Sequence, residues 1–291
     1  MDKDGSIRAI ARCIAVLQAI NRNGPITLTE IAERSGVPYP TATRIVRTLM
    51  DQGMIEREPA RKRYRPTALV QTLSCGFQNH DRLVVAARPH IVELTHRLGW
   101  PISIATRVGR VMVVRDSTSS LTPLTFNHYH AGWQVPLLAS ASGRVYLAHA
   151  EPEEQRELLT YLVDEGQGLD ALLFQEFSSD ATISQIREQG FAAVARTSYS
   201  ANPGKTSSIA VPLFGDGRLL GSLALVYFAS ALPLSQAIDR FLPDLRAVAS
   251  EIERAMAAAT AEAEERDALA GGRTEAEARP RGQRKPASAA E

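Results

Sequence analysis

The sequence predicts an α+β chain in two parts: a small unit of three helices and a hairpin, then a larger domain on a central antiparallel sheet. Three observations carry this. The apolar period is helical up to Gln52 and becomes strand-like after Gly53. Residues 1–67 hold twelve Lys and Arg against seven Asp and Glu, while the rest of the chain holds 21 against 25. Beyond Trp100, β-rich pairs interleave with helical stretches, as in a domain whose helices cover an antiparallel sheet. A chain of 291 residues, 44% apolar and 22% charged, has room for two cores.

The elements follow in order. Ile7, Ile10, Ile14 and Leu17 recur at helical spacing from Ser6 to about Asn21, and Asn23-Gly24-Pro25 ends that helix. Thr27 with Glu30 three residues on reads as a capping box, opening a short helix, LTEIAERS, that stops at Gly36. A third helix begins around Pro40, where a proline costs no hydrogen bond, and Gly53 closes it. MIERE and RYRPT form a hairpin around the turn PARK. Helix, helix, helix, hairpin is a winged helix-turn-helix over residues 1–67.

Residues 68–98 read as a linker helix region, with a break near Asn79–Asp81 and a kink at Pro89. PISIATRVGRVMVVRDS holds two strands, VPLLASASGRVYLAHA a turn into a helix, and PEEQRELLTYL and SSDATISQIREQGF two more helices. SSIAVPLF and LLGSLALVYF pair across Gly215–Gly217, and a long helix starts at Pro233. Residues 99–260 are therefore the second domain. The Ala-, Glu- and Arg-rich stretch 261–291 is assigned as an unordered tail because its end buries too little apolar surface, while its beginning could extend the last helix, which is read to about Glu265.

The third helix decides what the first unit is for. Ala42, Ile45, Val46 and Leu49 make a core face, whereas Thr41, Thr43, Arg44, Arg47 and Thr48 occupy the other, with no acid before Asp51. A helix that enters the major groove needs one face to dock on its own domain and one with short hydroxyls and long cations for base edges and phosphates. Thr27 and Thr29, at a helix start, and Arg61, Lys62 and Arg63 in the wing are placed to meet phosphate. The bland alternative, a solvated surface helix, would mix Glu with Lys. The partner implied is double-stranded DNA.

Leu219–Ile238 carries no charge for twenty residues, the length of a membrane span, but Gly221, Pro233 and the preceding GDGR turn read as a buried strand followed by a new helix. No membrane partner and a cytoplasmic location are expected. Cys13 and Cys75 read as buried, reduced thiols. An enzyme would need a catalytic constellation. His128 and His130 could share a face but lack a third ligand, no nucleophile elbow or P-loop occurs, and Cys75 has no evident base. The expectation is no catalytic residues, no metal and no cofactor.

LTEIAERSGVPYPTATRIVRTLMDQGMIER, VPLLASASGRVYLA and SSIAVPLFGDGRLLGSLALVY together resemble the IclR family of bacterial transcriptional regulators, over roughly residues 6–260. The likeness is greatest to the branch that controls aromatic-acid catabolism. It implies a GAF-like effector-binding domain, and a homo-oligomer (a dimer or a dimer of dimers) on a pseudo-palindromic operator. It also implies a small organic acid as effector, aromatic in this branch. Activation of a catabolic operon, with RNA polymerase as a further partner, is expected; release of a repressor by the acid stays open, as does, in a different class, an enzyme with an appended winged helix. Tyr39 joins the DNA-contacting set at a position where the family more often has Ser or Lys.

Aligned with the family's pocket, Ala141 and Ser142 would offer N–H groups at a helix start, with Ser207 and Ser208 before the AVP strand and Ala224 and Val226 on its partner. Trp133, Tyr199 and Tyr227 could stack on a ring, and Arg115 could pair with a carboxylate. Ser140 and Ser142 could equally be helix caps, Arg115 at a strand end could face solvent or a salt bridge instead, and Trp133 and Tyr227 fit core packing as well as ring stacking.

Overall fold

The computed structural model describes residues 7–75, 82–125, 129–165, 174–175, 177, 180–195 and 205–277. The chain divides into two units, Met1–Asp81 and Arg82–Glu291, each with a core of its own.

In the first unit, α1 (Arg8–Asn23), α2 (Leu28–Ser35) and α3 (Tyr39–Asp51) precede the hairpin β1 (Ile55–Arg57) and β2 (Tyr64–Pro66). The capping box forms as read: the Glu30 N–H donates to Thr27 Oγ1 while the Thr27 N–H donates to Glu30 Oε2 at 2.8 Å. The bonds that the Thr27 N–H and hydroxyl donate to Glu30 Oε2 hold this carboxyl below the usual carboxylate range. Gly36 ends α2 at φ +64°, a left-handed cap that an L side chain would strain. Val16 and Ile20 of α1, Ile31 of α2, Val46 of α3 and Ile55 of β1 close one small core. The apolar stripe from which α1 was read faces the other way. Ile7, Ile10 and Ile14 are 63%, 54% and 51% exposed, because Val16, Ala19 and Ile20 supply the inward face.

In the second unit, α4 (Arg82–Leu98) leads into β3 (Ile102–Val108) and β4 (Val111–Ser117), then β5 (Gln134–Pro136). Helices α5 (Ala141–His149), α6 (Pro152–Glu165) and α7 (Asp180–Gln189) follow, then β6 (Ala192–Val194), β7 (Thr206–Gly215), β8 (Arg218–Phe228) and α8 (Leu234–Glu277). The six strands form one antiparallel sheet in the order β5-β4-β3-β8-β7-β6. Alternation along each strand divides it into two faces. Ile209, Val211, Leu223 and Leu225 pack under α4 and α8, while Ala210 and Ala224 face α5 and α7.

Three expectations are revised. Residues 68–98 are not one linker: Ala68–Leu73 is a 3-10 turn on the first unit, whereas α4 buries Leu83, Ala87, Ile91 and Leu94 in the core of the second. The last helix runs on to Glu277, past the end expected near Glu265 and into the stretch assigned to the unordered tail. Cys75 is exposed and Cys13 half-buried, so the two thiols are not both core residues. The charge-free stretch resolves into β8 and the start of α8, and among the described residues no helix is long and apolar enough to cross a membrane. The break near Asn79–Asp81 lies outside the described residues.

Candidate DNA-binding face and effector cavity

Helix α3 buries Ala42, Val46 and Leu49 and turns Arg44 and Arg47 outward, both exposed and with no ion pair among the described residues. Tyr39, 52% exposed, stands at its first turn. Thr43 and Thr48 donate back to the carbonyls of Tyr39 and Arg44, at 2.8 and 3.1 Å, which leaves their oxygens as acceptors. Thr41 is half-buried on the flank facing α1.

The remaining candidates divide by what already occupies them. Thr27 is engaged in the capping box, so its hydroxyl fixes α2 rather than waiting for a phosphate; Thr29 is exposed. In the wing, Arg61 and Lys62 are exposed at the tip, with Lys62 at φ +51°. Arg63 instead donates to the Pro25 carbonyl at 3.1 Å, tying the hairpin back to the α1–α2 turn. Arg65 pairs across the hairpin with Glu56 at 2.6 Å.

In the second unit, a cavity of about 250 Å³ opens on the sheet face that carries α5. Its floor is Ala224 and Val226 of β8, Ser208 and Thr206 of β7, and Ser103 and Val114 across the sheet. Val194 and Ala195 close one side, Val135 and Pro136 the other. Trp133 and Tyr129 form the aromatic wall, ring centroids 5.6 Å apart and nearly perpendicular. The start of α5 forms the rim. Ser140 is its cap, accepting from the Gly143 N–H at 3.0 Å, while Ser142, 7% exposed, lines the cavity. The N–H groups of Ala141 and Ser142 belong to the first turn, where no helix carbonyl can meet them and the helix dipole favours negative charge.

Of the predicted effector residues, Trp133, Ala141, Ser142, Ser208, Ala224 and Val226 meet around this cavity. Ser207 and Tyr227 do not. Each is the strand neighbour of a lining residue, and period-2 alternation sends it to the opposite face. There Tyr227 is buried against Trp100 and Phe241, and burial pushes its phenol pKa up. Arg115 is also absent from the walls: it is the extra residue where β4 bulges between the pairs Ile104–Asp116 and Ala105–Val114, and its guanidinium donates to Thr106 Oγ1 at 3.1 Å. Tyr199 and His128 lie outside the described residues. Arg115→Ala is therefore expected to leave ligand affinity within about twofold of wild type, in calorimetric titration, as for a substitution remote from a site.

Reasoning from sequence missed Ser103, Val114, Tyr129 and Thr206. Ser103 is placed by the pairing of β3 with β8, which sets it opposite Ala224 across more than half the length of the second unit. Among the described residues no group of three or more His, Cys, Asp or Glu is placed to hold a metal.

Two family models match the chain. Residues 9–59 match the IclR helix-turn-helix domain, and residues 77–254 the C-terminal domain of bacterial transcriptional regulators of the IclR type. The chain belongs to the IclR family. It is thus a DNA-binding transcriptional regulator, and α1 to β1 make up its family helix-turn-helix domain. Among curated relatives, TsaQ1/TsaQ2 of Comamonas testosteroni is 24% identical over 53% of this chain, a match that spans only 56% of the relative. BhcR of Paracoccus denitrificans is 28% identical over 66% of this chain and 68% of its own. The fold matches an IclR homologue from Microbacterium hydrocarbonoxydans in complex with 4-hydroxybenzoate, with a TM-score of 0.61 at 23% identity, over 85% of this chain and 98% of that one.

Proposed function

We propose that this IclR regulator senses a small aromatic acid in the cavity at the start of α5 and activates transcription of an operon for its catabolism. The observation that carries the reading is the lining. Apolar side chains and an aromatic wall surround a few hydroxyls, and two helix-start N–H groups could receive a carboxylate without a buried cation. The structurally similar Microbacterium protein holding 4-hydroxybenzoate supports that ligand class. Arg44 and Arg47 of α3 are the base-reading residues, and ligand binding at α5 biases the spacing of two such helices on a pseudo-palindromic site.

Calorimetric titration with phenylpropionates, cinnamates and hydroxybenzoates, followed by footprinting on the DNA upstream of its own gene, tests this. One acid should bind unaltered and change the footprint. Chemical conversion of that acid would support an enzyme instead, and binding of none would overturn the aromatic reading. Transcription with purified RNA polymerase should rise with ligand; derepression in its place would make the chain a repressor.

The exposed isoleucines on α1 support a homo-oligomer, because an apolar stripe of this kind on a helix is normally covered. Sedimentation is expected to show at least a dimer, and Ile10→Glu with Ile14→Glu should shift it to monomer. Dimers that persist in this variant would place self-association elsewhere.

A further inference from the structure

Beside α3, and distinct from its outward face, a cleft of about 440 Å³ separates it from α1. Arg8 and Arg12 line it from α1 and Arg44 from α3, with Thr41, Thr48 and Cys13 between them, and no acidic residue is among its walls. We propose that Arg8 and Arg12, with Arg44, form a phosphate clamp that grips the sugar–phosphate wall of the groove α3 enters. The inference rests on the DNA-binding reading of α3 and adds a second helix to the interface.

The geometry favours phosphate over bases. A helix about 10–12 Å across fills a major groove about 12 Å wide, so whatever flanks the inserted helix meets the backbone rather than the base edges. Arg8 and Arg12 are one turn apart, which puts both guanidiniums on a single flank of α1. Arg12 is half-buried, neither it nor Arg44 is ion-paired among the described residues, and no acidic side chain lines the cleft between these two like charges. A phosphodiester, taken by a planar guanidinium in two hydrogen bonds, brings countercharge to the two of them. Ile10 and Ile14 follow Arg8 and Arg12 by two residues, about 200° round the helix. One flank of α1 thus serves DNA while another remains for self-association.

The test measures anisotropy of labelled DNA with the full chain, the double variant Arg8→Gln/Arg12→Gln and the charge-keeping Arg8→Lys/Arg12→Lys. The probes are a random-sequence duplex and the DNA upstream of its own gene. The Gln variant should weaken both probes by the same factor, because phosphates carry no sequence information. Its slope of log affinity on log salt should be shallower by about four for a dimer, two contacts from each subunit, so that its deficit shrinks about a hundredfold between about 50 and 200 mM salt. The Lys variant should recover the slope. Cys13 in the cleft should be alkylated more slowly when the random duplex is bound, with exposed Cys75 as the internal reference. An unchanged slope in the Gln variant, a Lys variant as weak as the Gln one, or Cys13 alkylation indifferent to DNA would overturn the clamp. If the slope is unchanged while Arg47→Ala still loses preference for the upstream DNA, only the clamp falls; a wild-type chain that binds neither duplex defeats the reading of α3 as well.

Discussion

Arg44→Ala combined with Arg47→Ala is expected to erase the chain's preference for its operator over random DNA while leaving effector affinity unchanged. Both guanidiniums are exposed on the side of α3 opposite Ala42, Val46 and Leu49, so their removal leaves no buried charge uncompensated and no cavity in the core. The cost falls on the complex alone. A lost base contact is worth about 1–3 kcal/mol, or about five- to a hundredfold and more in affinity, and a symmetric dimer loses each contact twice. Arg47→Ala should relax discrimination at particular base pairs, whereas Arg44, which also borders the α1 cleft, should in addition lower the salt slope by about two, one for each subunit. Footprinting and salt-dependent anisotropy on the same two duplexes separate these effects. A double variant that still prefers the operator would remove α3 as the reading helix. One that also loses its effector would point to misfolding.

Gly143→Ala is expected to destabilise the second unit and weaken effector binding, against the ordinary trend. A glycine inside a helix normally gains about 0.5–1 kcal/mol on replacement by alanine, because less backbone entropy is lost on folding. Here the added methyl carbon would sit 2.2 Å from the Leu137 carbonyl oxygen and 2.4 Å from its Cα. Both are backbone atoms, so no side chain can swing aside, and α5 must move as a body. That helix start carries the Ala141 and Ser142 N–H groups and the Ser140 cap, itself anchored by a 2.6 Å hydrogen bond to the Pro136 carbonyl. Overpacking of this kind costs about 1–3 kcal/mol, a fall of several degrees in the unfolding midpoint of a domain this size. Calorimetry with and without ligand reads both consequences. An unchanged or raised midpoint with intact ligand affinity would mean that α5 is not wedged against Leu137.

What could be read in advance follows the range of the interactions involved. The capping box of Thr27 and Glu30, the stop at Gly36 and the two-faced pattern of α3 are written within a few residues of one another, and each formed as read. The opposing placements of Ser207 and Ser208 show where such reading ends. Both lie on β7, but whether one or the other meets the cavity depends on which face α5 covers, and that is set by strand pairing rather than by neighbours. Arg115 lies off the cavity for a related reason: the bulge that inserts it into β4 has no local signature in VMVVRDS.

The sequence by itself settled the order of the main helices and longer strands though not the short edge strands β5 and β6, together with the basic charge of the first unit and the polar face of its third helix, because propensity, capping and charge act over a few residues. Only the tertiary structure decided that the Ile7, Ile10 and Ile14 stripe faces outward, that α4 belongs to the second core, and which side chains from six strands converge on one cavity. Those outcomes depend on contacts between residues far apart in the chain, where packing of one surface against another, not local preference, selects the face that is buried.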